Sequence, residues 1–143
     1  NKEGLQEQIP LARMKPASKT THLYVMAMAY GNRYLMVKRG SGGLYGGLWE
    51  FPTIELASPC SGEWLKAKMN GQWKIKPEKY STGRAFRHVL SHKRYVVHPC
   101  QGRIGNKTGI RLGGSWVLRE RIRTMAISTL TRKVFEGFLQ RPI

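Results

Sequence analysis

Ser91 and His92 are the adjacent residues best placed to make specific hydrogen bonds. They stand between two apolar, β-prone runs, Ala85 to Leu90 and Arg94 to Val97, in the segment FRHVLSHKRY. This pattern predicts two strands that meet at a turn. A hydroxyl and an imidazole can each donate or accept a hydrogen bond, so the pair suits a polar ligand such as a nucleobase. Alone, the two residues are better explained as an ordinary turn with a capping hydroxyl, so the surrounding sequence must decide.

A strong excess of basic residues surrounds this turn. The chain has 25 lysines and arginines against 8 acidic residues, a formal net charge of +17. Such a surplus creates a positive field that attracts polyanions, so nucleic acid is the expected partner, with a solubility device or a ribosome-like basic protein as the alternative. The candidate DNA-backbone contacts are Lys38, Arg39, Arg87, Lys93 and Arg94.

Several kinds of site are disfavoured by composition. All acidic residues are glutamates, whereas metal-dependent phosphoryl chemistry needs a cluster of carboxylates. Cys60 and Cys100 stand far apart, so the chain alone is expected to hold neither zinc nor an iron–sulfur cluster. With no signal peptide and no apolar run of about 18 residues, a soluble intracellular protein without membrane contact is expected. No catalytic or metal-binding residue is predicted in this chain.

The predicted organisation is one domain, residues 22–143, preceded by a polar linker or arm, residues 1–21. A hairpin turning at Gly31-Asn32 opens the domain, and an amphipathic helix with Ser128 as its N-cap closes it. A short helix is predicted over GEWLKAKM, with Trp64, Leu65 and Met69 toward the core, and a strand over Gln72 to Ile75.

The segment GGLYGGLWEFP, Gly42 to Pro52, predicts a glycine-rich loop that leads into a short strand ended by proline. Aromatic residues in such a strand normally pack, so Trp49 and Phe51 are expected in or near the core. His88 is expected to be structural, supporting the loop that follows it. After a glycine-rich, basic stretch, Trp116 and Val117 are expected to return the chain to the core.

These motifs together resemble the C-terminal domain of MutY-type adenine DNA glycosylases, which has a Nudix-like fold. GLYGGLWEFP, FRHVLSH, HPCQGRI and STLTRKVFEGF match family segments in the same order, and the resemblance covers roughly Ile9 to Leu139. The combination is far more specific than any one motif. The resemblance implies an α+β fold, a Nudix-like mixed β-sheet flanked by helices.

The resemblance also implies a function in base excision repair. In the family, a separate N-terminal domain carries the catalytic acids and a 4Fe–4S cluster and removes adenine opposite 8-oxoguanine from double-stranded DNA. The C-terminal domain recognises the oxidised base. Leu90, Ser91 and His92 match the lesion-recognition motif, with Leu90 where phenylalanine is more usual. The expected cellular location is the nucleus or mitochondrion in a eukaryote, and the cytoplasm or nucleoid in a bacterium.

Two alternatives remain from other functional classes. A free-standing Nudix hydrolase of oxidised nucleoside triphosphates would carry R-E-x-x-E-E on the helix after the Trp-x-x-Pro motif, to hold Mg²⁺ against a diphosphate. GEWLKAKM offers only Glu63 beside lysines, which disfavours this reading. A general basic nucleic-acid adaptor would bind without lesion preference.

Overall fold

A long strand at the centre of the sheet organises the domain. The computed structural model describes residues 19–38, 47–90, 92–106 and 109–138, and the backbone alone of Leu90 and Phe138. Strand β1, Thr20–Tyr30, is buried on both faces from Leu23 to Ala29. It runs parallel to β7, Lys93–Arg103, from the pair Thr20 and Arg94 to the pair Ala29 and Arg103.

The remaining strands extend this pair into a mixed sheet. These strands are β2 Arg33–Lys38, β3 Trp49–Glu50, β4 Thr53–Leu56, β5 Lys79–Thr82, β6 Phe86–Leu90 and β8 Ser115–Leu118; the helices are α1 Gly62–Trp73, a 3₁₀ helix Arg119–Thr124 and α2 Thr129–Phe138. The path across the sheet is β3, β2, β1, β7, β5, while β4 pairs with β1, β6 with β7 and β8 with β2. All of these strand pairings except that of β1 with β7 are antiparallel.

Alternate residues of β1 enter two separate cores. Leu23 and Val25 pack with Val134 and Phe135 of α2 on one side of the sheet. Tyr24 and the residues that alternate with it pack with α1 on the other side. Because successive strand residues point to opposite faces, a strand buried on both sides must be apolar throughout, as β1 is. The α+β fold expected from the sequence, a mixed sheet flanked by helices, is confirmed.

Helix α1 is longer than the sequence predicted. The strand predicted over Gln72 to Ile75 is wrong, because α1 continues to Trp73 and ends at Lys74, whose φ of 58° is left-handed. The buried stripe is Leu65, Met69 and Trp73, which recur at i,i+4 spacing. Trp64 falls outside that stripe and is 44% exposed, which corrects its predicted core position.

Helix α2 matches its prediction closely. Ser128 Oγ accepts a hydrogen bond from the Thr131 backbone N–H at 3.1 Å and donates to Thr131 Oγ1 at 2.9 Å. A serine at this position satisfies backbone donors that the first turn leaves unpaired. Val134 and Phe135 are buried in the core, so α2 is held firmly against the sheet.

Phe51 is fully buried and Trp49 is half-buried, as expected. The predicted strand shortens to Trp49–Glu50, and a further strand, β4, follows Pro52 and was not anticipated. Cys60 and Cys100 are both free thiols. No helix in the described part of the chain has the length and apolarity to cross a membrane.

Candidate nucleic-acid interface

The predicted turn at Ser91 and His92 joins two paired strands. Strand β6 runs antiparallel to the first half of β7, from the pair Phe86 and Val97 to the pair Leu90 and Lys93. His92 is exposed. Ser91 and the side chain of Leu90 lie outside the described residues. The two strands therefore place His92 and Lys93 at the end of a hairpin on the edge of the sheet.

One face of this hairpin packs against α2. Phe86 and Tyr95 pack against the α2-side core, and His88 is buried between them and the helix. The His88 ring lies 6.5 Å from the Tyr95 ring, centroid to centroid. Lys133 of α2 donates from Nζ to Nδ1 of His88 over 3.2 Å. This face anchors the hairpin.

The environment of His88 favours the neutral form of its imidazole. Burial lowers the pKa of His88, and the positive charge of Lys133 lowers it further. A neutral ring leaves Nδ1 free to accept from the lysine ammonium. The expectation that His88 is structural agrees with this placement.

The opposite face of the hairpin is exposed and cationic. Arg87 and Arg94 are exposed on this face, and His92 and Lys93 are exposed at the tip of the hairpin. Because Arg87 pairs with Val96 and Val89 pairs with Arg94, the two arginines lie on the same face of neighbouring strands. Val89, which was not predicted as a site residue, lies next to Arg87 on this face and opposite Arg94, and is 67% exposed. No local signal identifies it, because an apolar residue beside the polar His88 would be expected to be the buried one of the two.

The predicted backbone contacts do not all lie together. Lys38 is exposed at the end of β2, with Nζ 6.0 Å from the centre of the Trp49 ring. In the order of the sheet, β1 and β7 lie between β2 and β6. Arg39 lies outside the described residues. The structure therefore groups Arg87, Lys93 and Arg94 around the hairpin and places Lys38 on a different strand pair.

A cleft of about 450 Å³ opens on the α1 side of the sheet. Within it Tyr24 stacks on His98 at 4.2 Å between ring centres, and His98 Nε2 lies 3.0 Å from His22 Nδ1. Burial, and then the neighbouring His22, lowers the pKa of His98. The Tyr24 hydroxyl accepts a hydrogen bond from the Cys60 backbone N–H at 3.0 Å. These contacts link the segment that precedes α1 to strands β1 and β7.

The side chains of α1 determine whether this helix could hold a divalent cation. Its one carboxylate is Glu63 in the first turn, and the exposed residues that follow include Lys66, Lys68 and Gln72. Hard cations such as Mg²⁺ take oxygen ligands, usually with carboxylates among them. Among the described residues, no group of three or more histidine, cysteine or acidic side chains could hold a metal ion. The donor set of α1 does not fit Mg²⁺.

Comparisons with known proteins agree with this fold. The C-terminal domain of mouse MUTYH, solved in complex with human PCNA, superposes with a TM-score of 0.66 at 21% identity, covering 84% of this chain and 88% of that one. MutT from Methanosarcina mazei gives 0.66 at 16% identity, covering 88% and 97%. The E. coli ORF135 protein gives 0.62 at 15% identity, covering 88% and 96%.

At these identities the structural likeness shows the fold alone. The sequence model of the NUDIX domain family matches residues 24–137, which is most of the sequence. On that match, the chain belongs to the NUDIX domain family.

Proposed function

We propose that this chain is a DNA-binding domain that recognises 8-oxoguanine opposite adenine on behalf of an adenine DNA glycosylase. The observation that carries the proposal is the hairpin of β6 and β7. Its α2-facing side is fixed by His88, while its other side and tip expose His92, Lys93, Arg94 and Arg87. A rigidly anchored loop surrounded by phosphate-binding side chains is suited to presenting polar groups to a base.

The chemistry of the lesion matches the residues at this turn. 8-Oxoguanine differs from guanine at O8 and at N7, where an acceptor becomes a donor. The Ser91 hydroxyl can accept from that N–H or donate to O8, and His92 can bond the base or an adjacent phosphate. Leu90 supplies an apolar side chain that can wedge against the base stack. Together, Leu90, Ser91 and His92 would read the oxidised base.

The catalytic step belongs to a partner domain under this proposal. An N-terminal domain of the same protein, with its catalytic acids and a 4Fe–4S cluster, would extrude the adenine and hydrolyse its glycosidic bond. This domain would hold the opposite strand of double-stranded DNA. Such a protein acts where DNA is, in the nucleus or mitochondrion, or in the bacterial nucleoid.

Family membership alone equally allows a free-standing hydrolase of oxidised nucleoside triphosphates. That activity requires Mg²⁺ ligands on α1, where Lys66 and Lys68 stand instead of carboxylates. The lysines would repel the cation. Lesion recognition is therefore the better-supported function.

The test is competitive binding at physiological salt to duplexes that carry 8-oxoguanine or guanine opposite adenine. Salt must be fixed, because a chain of +17 charge binds any duplex at low salt. Wild type is compared with Ser91→Ala and with Ser115→Ala, which removes an exposed hydroxyl from β8. We expect wild type to prefer the duplex that carries the lesion. Ser91→Ala should reduce that preference about tenfold, because one hydrogen bond to a charged or buried partner is lost. Ser115→Ala should retain the preference.

Equal wild-type affinity for the two duplexes would contradict the proposal and leave a general nucleic-acid adaptor. Mg²⁺-dependent release of pyrophosphate from 8-oxo-dGTP by the purified chain would instead establish the hydrolase.

A further inference from the structure

We propose that an exposed part of the sheet beside the hairpin is a second DNA-contact surface, with Val89 as its apolar contact. This inference rests on the function proposed above and extends it from the hairpin tip to the adjoining strands. The surface, termed the open face, lies on the side of β1, β7 and β6 away from α2. The residues of the open face are Thr20, His22, Arg87, Val89, Arg94 and Val96.

Strand register places these residues in two rows. Arg94 of β7 pairs with Thr20 on one side and with Val89 on the other. One step along, Val96 pairs with His22 and with Arg87. Directly paired residues share a face of a sheet. The rows therefore run across three neighbouring strands.

Burial identifies which face this is. Leu23, Tyr95 and Val97, which alternate with members of the two rows, pack in the α2-side core. On the open face Thr20, Arg87, Val89 and Arg94 are exposed. The open face is thus a solvent-facing patch in which the exposed Val89 and the half-buried Val96 lie beside two guanidinium groups.

The arrangement favours duplex DNA as the occupant. Two arginines on adjacent strands can bind phosphates, because a guanidinium presents several donors in a planar fork. A valine beside both arginines would contact the apolar carbon atoms of a deoxyribose or a thymine methyl group when the phosphates are bound. Scattered exposed apolar residues are ordinary, and Trp64 on α1 is another. What distinguishes Val89 is its position between Arg87 and Arg94, beside the hairpin tip.

The experiment measures duplex affinity over a range of salt concentrations for the full chain and two variants. Val89→Thr keeps the branched shape and strand preference while replacing a methyl group by a hydroxyl. Trp64→Thr is the control, since it removes exposed apolar surface from α1. We expect Val89→Thr to lower affinity about fivefold with an unchanged dependence of log K on log salt, because no charge is lost. Trp64→Thr should bind as wild type does.

The outcomes separate this inference from the function on which it rests. If wild type binds the duplex and the affinity of Val89→Thr lies within twofold of the wild-type affinity, the role of the open face is overturned and lesion recognition stands. A wild type that binds no duplex at low salt would overturn both. If sedimentation shows self-association that Val89→Thr abolishes while duplex binding stays unchanged, the open face is an interface between copies and the inference is wrong.

Discussion

The two faces of the β6 and β7 hairpin differ in almost every physical property. The α2-facing side holds Phe86, a buried His88 with lowered pKa and the fully buried Val97. The other side exposes Arg87, Arg94 and Val89. One face is shaped by packing and desolvation and the other by charge in solvent. The same two strands therefore pack into the core on one side and expose a cationic surface to solvent on the other.

Position within the strand, more than residue type, assigns these roles. Val89 and Val97 are chemically identical, yet Val89 is 67% exposed and Val97 is completely buried. Likewise His88 is buried and His92, four residues later, is exposed. Substitutions matched in chemistry but placed on opposite faces should therefore separate stability from DNA binding.

The largest expected effect is on the anchoring face. Val97→Ala should lower the free energy of unfolding by about 2–3 kcal/mol, since it leaves a cavity in a packed core. Val89→Ala should change it by no more than about 0.5 kcal/mol, because the side chain is mostly exposed. Urea unfolding followed by circular dichroism measures both. Similar losses in the two variants would show that Val89 packs in the folded protein, and the distinction between the faces would fail.

The exposed face should dominate DNA affinity. Replacing both Arg87 and Arg94 by alanine removes two phosphate contacts, which should weaken duplex binding roughly thirtyfold near 0.15 M salt and reduce the salt-dependence slope by about 1.8. Fluorescence anisotropy across a salt series measures both quantities. The unfolding free energy should stay near wild type, because both side chains are exposed.

A charge-matched control sharpens this result. Arg121 and Arg123 are exposed on the 3₁₀ helix. Replacing both with alanine removes the same total charge from another surface. If this control weakens binding as much as the hairpin variant does, net charge governs the interaction and the hairpin has no special part in it.

Local signals made much of this fold predictable. Ser128 as an N-cap and the i,i+4 spacing of the apolar residues after it specified α2 before any tertiary contact was known. Strand β4 was missed because Pro52 signalled an end, whereas its four residues form a strand by pairing with His22 to Val25 of β1. That pairing is distant in sequence, so no local pattern reports it.

The candidate site divides in the same way. Two apolar, β-prone runs on either side of Ser91 and His92 predicted the hairpin and its turn, and the buried position of His88 agrees with the structural role expected for it. Its partner Lys133 lies 45 residues away on α2 and could be assigned only when the helix was placed against the sheet. The exposure of Val89 depends on that same placement, since only the packed face distinguishes the two sides of β6.

The smallest expected effect is the response of the anchor to pH. Burial first, and Lys133 second, lower the pKa of His88 in the folded state, whereas in the unfolded chain it should titrate near 6.5. Between the two values the unfolded state binds more protons, so stability rises with pH through that window and is lost on acidification. His88→Gln keeps an acceptor for the Lys133 ammonium but does not titrate.

We therefore expect wild type to lose more stability than His88→Gln between pH 7.5 and pH 5.5, as measured by urea unfolding at each pH. Some pH dependence should persist in the variant, because burial and His22 also lower the pKa of His98. Duplex affinity at pH 7.5 should be the same for both proteins. Parallel pH profiles would mean that His88 is protonated as readily in the folded protein as in the unfolded chain, and a loss of DNA affinity at pH 7.5 would place His88 on the binding side of the hairpin.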